Sequence, residues 1–67
     1  MIALNSSNLS GAEYDGNGTL YVEFHGGRLY AYYGIPYSEF SGLIHASSHG
    51  SYFHAHIRDC YRYRRIR

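Results

Sequence analysis

Lysine is absent from the 67 residues, and cysteine and proline occur once each. Without lysine, every fixed positive side-chain charge is an arginine, whose planar fork suits phosphate and the faces of aromatic rings. A single cysteine excludes an internal disulfide, so a reducing, cytoplasmic setting is expected. No apolar run is long enough for a signal h-region or a membrane span, and no membrane association is expected. Repeats, low-complexity stretches and linkers are missing too. So are the glycine frames of P-loops and dinucleotide sites, which makes Gly26-Gly27 a turn rather than a phosphate cradle.

What the chain has in quantity is tyrosine and a concentrated positive end. A chain this short buries only about 60% of the surface it exposes when unfolded. Aromatic residues at 18% of the composition offset that small core, since each ring can bury roughly 150–250 Å². Residues 1–57 hold one arginine, Arg28, against Glu13, Asp15, Glu23 and Glu39, a net charge of −3. Residues 58–67 hold five arginines against Asp59, a net charge of +4. The positive field is therefore gathered at one end.

The stretch Thr19–Ile35 reads as a hairpin. Leu20, Val22 and Phe24 alternate with polar neighbours, the period of a strand with one buried face. Gly26-Gly27 can take the positive φ angles of a two-residue turn. With that turn Phe24 faces Leu29, Val22 faces Ala31 and Leu20 faces Tyr33, which leaves Tyr21, Tyr30 and Tyr32 together on the more solvated side. A three-residue turn with a glycine bulge swaps the faces of the second strand and makes Tyr30 and Tyr32 core residues. The two-residue turn is preferred, because it places Leu29 and Ile35 inside.

Around the hairpin, Met1–Leu4 reads as an edge strand or a flap, and Leu9–Asp15 as a weaker strand ending in the turn-rich Asp15-Gly16-Asn17-Gly18. Pro36 ends strand pairing and suits a helix start. Tyr37, Phe40, Leu43 and Ile44 then make a one-sided helical stripe. Gly50 is expected to cap that helix, and a second is expected after Ser51, with Phe53, Ile57, Cys60 and Tyr61 inward. Tyr61–Arg67 is either a last strand or an extended arm. The expected fold is one α+β domain over residues 1–67, a three-stranded antiparallel β-meander with two short helices packed on one face.

Catalysis finds no support. Cys60 with His56 or His54, and Ser47 or Ser48 with His49, lack an orienting third group, so no enzyme activity and no cofactor are expected. His45 with His49 and His56 with Cys60 are each four apart, which permits zinc but matches no tight motif, and no metal is expected. Binding is the better reading. Tyr21, Tyr30 and Tyr32 form a stacking surface for single-stranded bases unless the helices cover them. Arg58, Arg62, Arg64 and Arg65, with Arg67, meet phosphate unless they are only a solvated end, and Arg28 extends the contact at the turn. Five phosphate contacts on a single strand give a log-affinity slope against log salt of roughly −3.5. The rival is a protein-interaction module in which the same tyrosine and arginine surface meets a partner protein or a second copy, since both residue types dominate interface hot spots.

The ordered landmarks Ser6-Ser7-Asn8-Leu9, Tyr14-Asp15, Leu20–Phe24, Tyr30-Ala31-Tyr32, Ile35-Pro36, Ala46–Phe53, Ile57-Arg58 and Tyr61–Arg65 run through nearly the whole chain. In this order the chain resembles the KTSC domain, a short module at the C-terminus of some lysyl-tRNA synthetases and a stand-alone small bacterial or phage protein. The resemblance implies a domain of unestablished function, with RNA suggested as ligand by the synthetase context. His49 stands where such domains often have lysine, and Ala31 where arginine is common. With both positive charges gone, the arginine-rich end must carry more of the electrostatic work.

Overall fold

The computed structural model describes all 67 residues. The alternation in Leu20–Phe24 produces the central strand, β3, with Leu20 and Val22 fully buried. It pairs on one side with β2 (Leu9–Tyr14) and on the other with β4 (Leu29–Tyr32). Two further strands, β1 (Ile2–Ala3) beside β2 and β5 (Tyr63–Arg65) beside β4, complete an antiparallel sheet in chain order. The sheet thus has five strands, not the expected three. The apolar start is an edge strand rather than a flap, and the basic end is a paired strand rather than an arm. Elements of two or three residues carry no periodicity of their own. They are recruited by the open backbone of a neighbour: Leu4 N–H donates to the Ser10 carbonyl (3.1 Å), and Ile66 N–H to the Leu29 carbonyl (2.7 Å).

The turn between β3 and β4 uses three residues. Phe24 N–H donates to the Arg28 carbonyl (2.8 Å) and Gly27 N–H to the Phe24 carbonyl (3.0 Å), leaving His25-Gly26-Gly27 as the loop. Leu20 therefore opposes Tyr32, Val22 opposes Tyr30 and Glu23 opposes Leu29. This overturns the preferred two-residue register. Gly26 and Gly27 both sit at positive φ, +99° and +95°, which a residue with a Cβ rarely adopts. The gain from this register is ring area: Tyr30 and Tyr32 join the Leu20 and Val22 face, while Leu29 and Tyr33 turn to the other. Ile35 is buried all the same, because it lies beyond the end of β4, its N–H donating to the Gly18 carbonyl (2.9 Å).

In β2 the pairing shifts between Leu9 and Gly11, a bulge at Ser10. The extra residue lets Leu9 and Ala12, three apart, both face the core. This is why Leu9–Tyr14 alternates poorly as a sequence.

Helix α1 (Tyr37–His45) follows Pro36 as anticipated and buries Phe40 and Leu43. Helix α2 (His49–His56) starts earlier than expected, at Ser48 rather than Ser51. The Ser48 hydroxyl accepts from Ser51 N–H (3.3 Å), so Gly50 lies in the first helical turn and caps nothing. Phe53 and Ile57 are buried as expected, whereas Cys60 lies past the helix end and is exposed, a correction to the inward placement. The buried cluster comprises Leu4, Leu9, Ala12, Leu20, Val22, Tyr32, Ile35, Phe40, Leu43, Phe53 and Ile57. No helix is long and apolar enough to cross a membrane.

The two helices are joined by a clasp. The Tyr52 hydroxyl on α2 donates to Glu39 Oε1 on α1 (2.5 Å), Tyr61 donates to Glu39 Oε2 (3.4 Å), and the His56 ring stacks on Tyr52 at 4.2 Å. Gly42 makes room for it, since a Cβ there would collide with the Tyr52 hydroxyl. Gly42→Ala is expected to destabilise the protein by about 1–3 kcal/mol through this overlap. In a Tyr52→Ala background the same change should instead stabilise by up to about 1 kcal/mol, the gain in helix propensity alone. Chemical denaturation of the single and double variants reads the reversal of sign.

Candidate functional site

Between α2 with its following turn and the β3–β4–β5 side of the sheet lies a groove of about 430 Å³. Its aromatic lining comes from Phe24 on β3, Tyr30 and Tyr32 on β4, Tyr63 on β5 and Phe53 on α2. Pairing explains how β5 contributes: Tyr63 opposes Tyr32 and Arg65 opposes Tyr30, and opposed residues share a face. The rings interlock. Tyr63 lies 5.5 Å from Tyr32 and 5.9 Å from Tyr30 between centroids, and Phe53 meets Tyr32 (5.4 Å) and Phe24 (5.8 Å) edge-on. Burial is graded across the set: Tyr32 is 4% exposed, Tyr30 is half-buried and Tyr63 is 59% exposed. Tyr30 and Tyr63 are the rings a ligand can reach.

Polar groups surround this floor. The Arg28 guanidinium stands 5.2 Å from the Phe24 ring centroid, within cation–π range. On the α2 side Arg58 Nη1 donates to His54 Nδ1 (3.1 Å), and Asp59 and Asn8 complete the lining. Tyr32 makes no side-chain hydrogen bond within the chain, yet no buried side-chain polar atom is sealed away without a partner, so its hydroxyl retains access to solvent. Burial, with the neighbouring Tyr63 and Tyr30, pushes the Tyr32 phenol up to about 12.

Of the residues anticipated from sequence, Arg28, Tyr30, Tyr32 and Arg58 line this groove, and Arg65 shares its face by register. Tyr21 and Arg64 stand on the opposite face, where both flank Ala31, and Arg62 pairs with Tyr33 at the outer end of β4. Arg67 is engaged, its Nη2 2.9 Å from Glu23 Oε2 and its Nε donating to the Gly27 carbonyl (3.1 Å). Sequence reasoning missed Phe24, Phe53 and Tyr63 as groove residues. The Tyr-Arg alternation after Tyr61 was the available sign for Tyr63, but its face depends on the β4–β5 pairing.

The four potential zinc ligands do not meet: no group of three or more metal-capable side chains forms. His45 Nδ1 lies 2.8 Å from the Ser41 carbonyl. His49 is held on both nitrogens, Nδ1 accepting from Asn5 N–H (3.0 Å) and Nε2 facing the Ile44 carbonyl (3.3 Å). That structural duty accounts for a histidine at this position.

A family model described as the KTSC domain matches residues 5–63. The fold is similar to a crystal structure of a KTSC domain protein from Yersinia pestis, with a TM-score of 0.88 and 29% identity, covering 96% of this chain and 92% of that one. No curated protein matches the chain.

Two tyrosines link stability to alkaline pH. Tyr32 is raised from 10.0 to about 12 by burial first, and Tyr52 to about 12 by its hydrogen bond to Glu39 first. The folded state therefore keeps protons that the unfolded chain has lost. Stability should be fully present below about pH 10 and fall as the pH rises towards about 12. Denaturation midpoints measured across this range for the wild type and Tyr32→Phe should show a shallower fall in the variant.

Proposed function

The chain belongs to the KTSC domain family, and from its groove we propose a small non-catalytic module that holds single-stranded nucleic acid, with RNA as the ligand. One observation carries the proposal: reachable tyrosine rings and three arginines, Arg28, Arg58 and Arg65, occur on one side of the sheet. Bases stack on Tyr30 and Tyr63, a contact that tolerates any base because every base has a π-face. The guanidiniums hold phosphate, and lie close enough to the rings for one strand to touch both. The only carboxylate on the hairpin, Glu23, is turned to the other face and paired with Arg67, which removes a repulsive charge from the path.

A specific feature favours protein binding as a second reading. The sheet face without helices carries Tyr21, Leu29 and Tyr33 beside Arg62 and Arg64, the residue types of an interface hot spot. Partner protein or second copy, such an occupant would use this face and leave the groove open.

Salt separates the readings. With three phosphate contacts, the slope of log affinity against log salt for a short single-stranded RNA should be about −2, shallower than the value for five. Arg58→Ala should reduce its magnitude by about 0.7, and Arg64→Ala, on the far face, should leave it unchanged. Tyr63→Ala should weaken binding by about 1–3 kcal/mol. Binding that ignores salt, or that falls with Arg64→Ala but not Arg58→Ala, would transfer the function to the open face.

A further inference from the structure

Of the four partly buried phenols packed against the core, three bond internally, Tyr14 to the Ile35 carbonyl and Tyr52 and Tyr61 to Glu39, whereas Tyr30 does not. Tyr32 is more enclosed than all four, at 4% exposure, and its hydroxyl also bonds to nothing in the chain while its side chain lines the groove. No group of the protein takes up its hydrogen-bonding capacity, and it keeps access to solvent. A ligand group at the floor of the groove can therefore bond to it without displacing an internal partner.

The groove also has a definite capacity. At about 430 Å³ it lies at the low end of the range of pockets for one small ligand. A continuous stack of bases does not fit such a space. One unstacked base does, with one face against the exposed Tyr63 ring and its polar edge inward. Single-stranded RNA is characteristically read in this way, by stacking together with hydrogen bonds to a base edge.

Resting on the nucleic-acid reading above, we infer that the groove is a one-base pocket, in which the Tyr32 hydroxyl selects which base enters. Arg28 and Arg58 then hold the phosphates that flank the inserted base. The domain is accordingly base-selective at one position and indifferent to sequence elsewhere along the strand. Tyr32 acts as the specificity residue, whereas Tyr63 contributes affinity for all bases.

The test is binding of wild type and Tyr32→Phe to single-stranded RNA homopolymers of each of the four bases, at one salt concentration. The wild type should favour its best base over its worst by about five- to tenfold, the scale of one net hydrogen bond. Tyr32→Phe should compress that spread to about twofold or less. Because the hydroxyl has no internal partner, the variant should melt with the wild type at neutral pH, which confirms an intact fold. A wild type that binds all four equally, or a variant that keeps the full spread, overturns the one-base pocket and leaves general stacking in place. Failure of the wild type to bind any of the four overturns both readings.

Discussion

The passage of the chain through His25, Gly26 and Gly27 decides on which side of the sheet every side chain of β4 stands. Side chains alternate with a period of two, so one residue more or less in the turn moves Tyr30 and Tyr32 from one face to the other. Two consecutive glycines at positive φ make the longer loop accessible. The consequence extends further than the hairpin. Because β5 pairs in register with β4, the same choice sends Tyr63 and Arg65 to the helix-side face and Arg64 to the other. A groove lined by rings and flanked by arginines exists only with this parity.

Ring area is what makes this parity favourable in so small a protein. Aliphatic side chains fill the centre of the core, but its margin is built from Phe24, Tyr30, Tyr32 and Phe53, packed edge-on and tilted. Such pairs contribute beyond the area they bury. The same set grades outward from enclosed Tyr32 to exposed Tyr63, so the edge of the core and the floor of the groove are one structure. Packing, including that of Phe53 from α2 against Tyr32 and Phe24, holds these rings in place.

Charge is distributed by the same alternation. The basic end looks like one patch in the sequence, but pairing as a strand divides it between two faces. Arg67 is drawn off to Glu23 and the Gly27 carbonyl, tying the end of the chain to the β3–β4 turn. What remains on the groove side is a smaller positive field close to the rings, and Arg62 and Arg64 give the open face a field of its own.

Much of this was legible in the residues. Alternation in Leu20–Phe24, the turn chemistry of Asp15–Gly18, Pro36 before a helix and the apolar stripe from Tyr37 are local signals, and each marks an element that is present. The ordered landmarks from Ser6 to Arg65 are enough to indicate the family, and Arg28, Tyr30, Tyr32 and Arg58, singled out by residue type, line one groove. Tyr63 and Phe53 are not so marked, since nothing near them in the chain shows that they converge. The sequence by itself determined the kinds of element, most of their order and the stock of rings and guanidiniums, because helical and strand periods act over a few residues. Tertiary structure alone decided the turn length, the recruitment of both edge strands and the face each tyrosine occupies. Those outcomes depend on which register buries more ring area against the helices, a sum over distant residues that no single stretch contains.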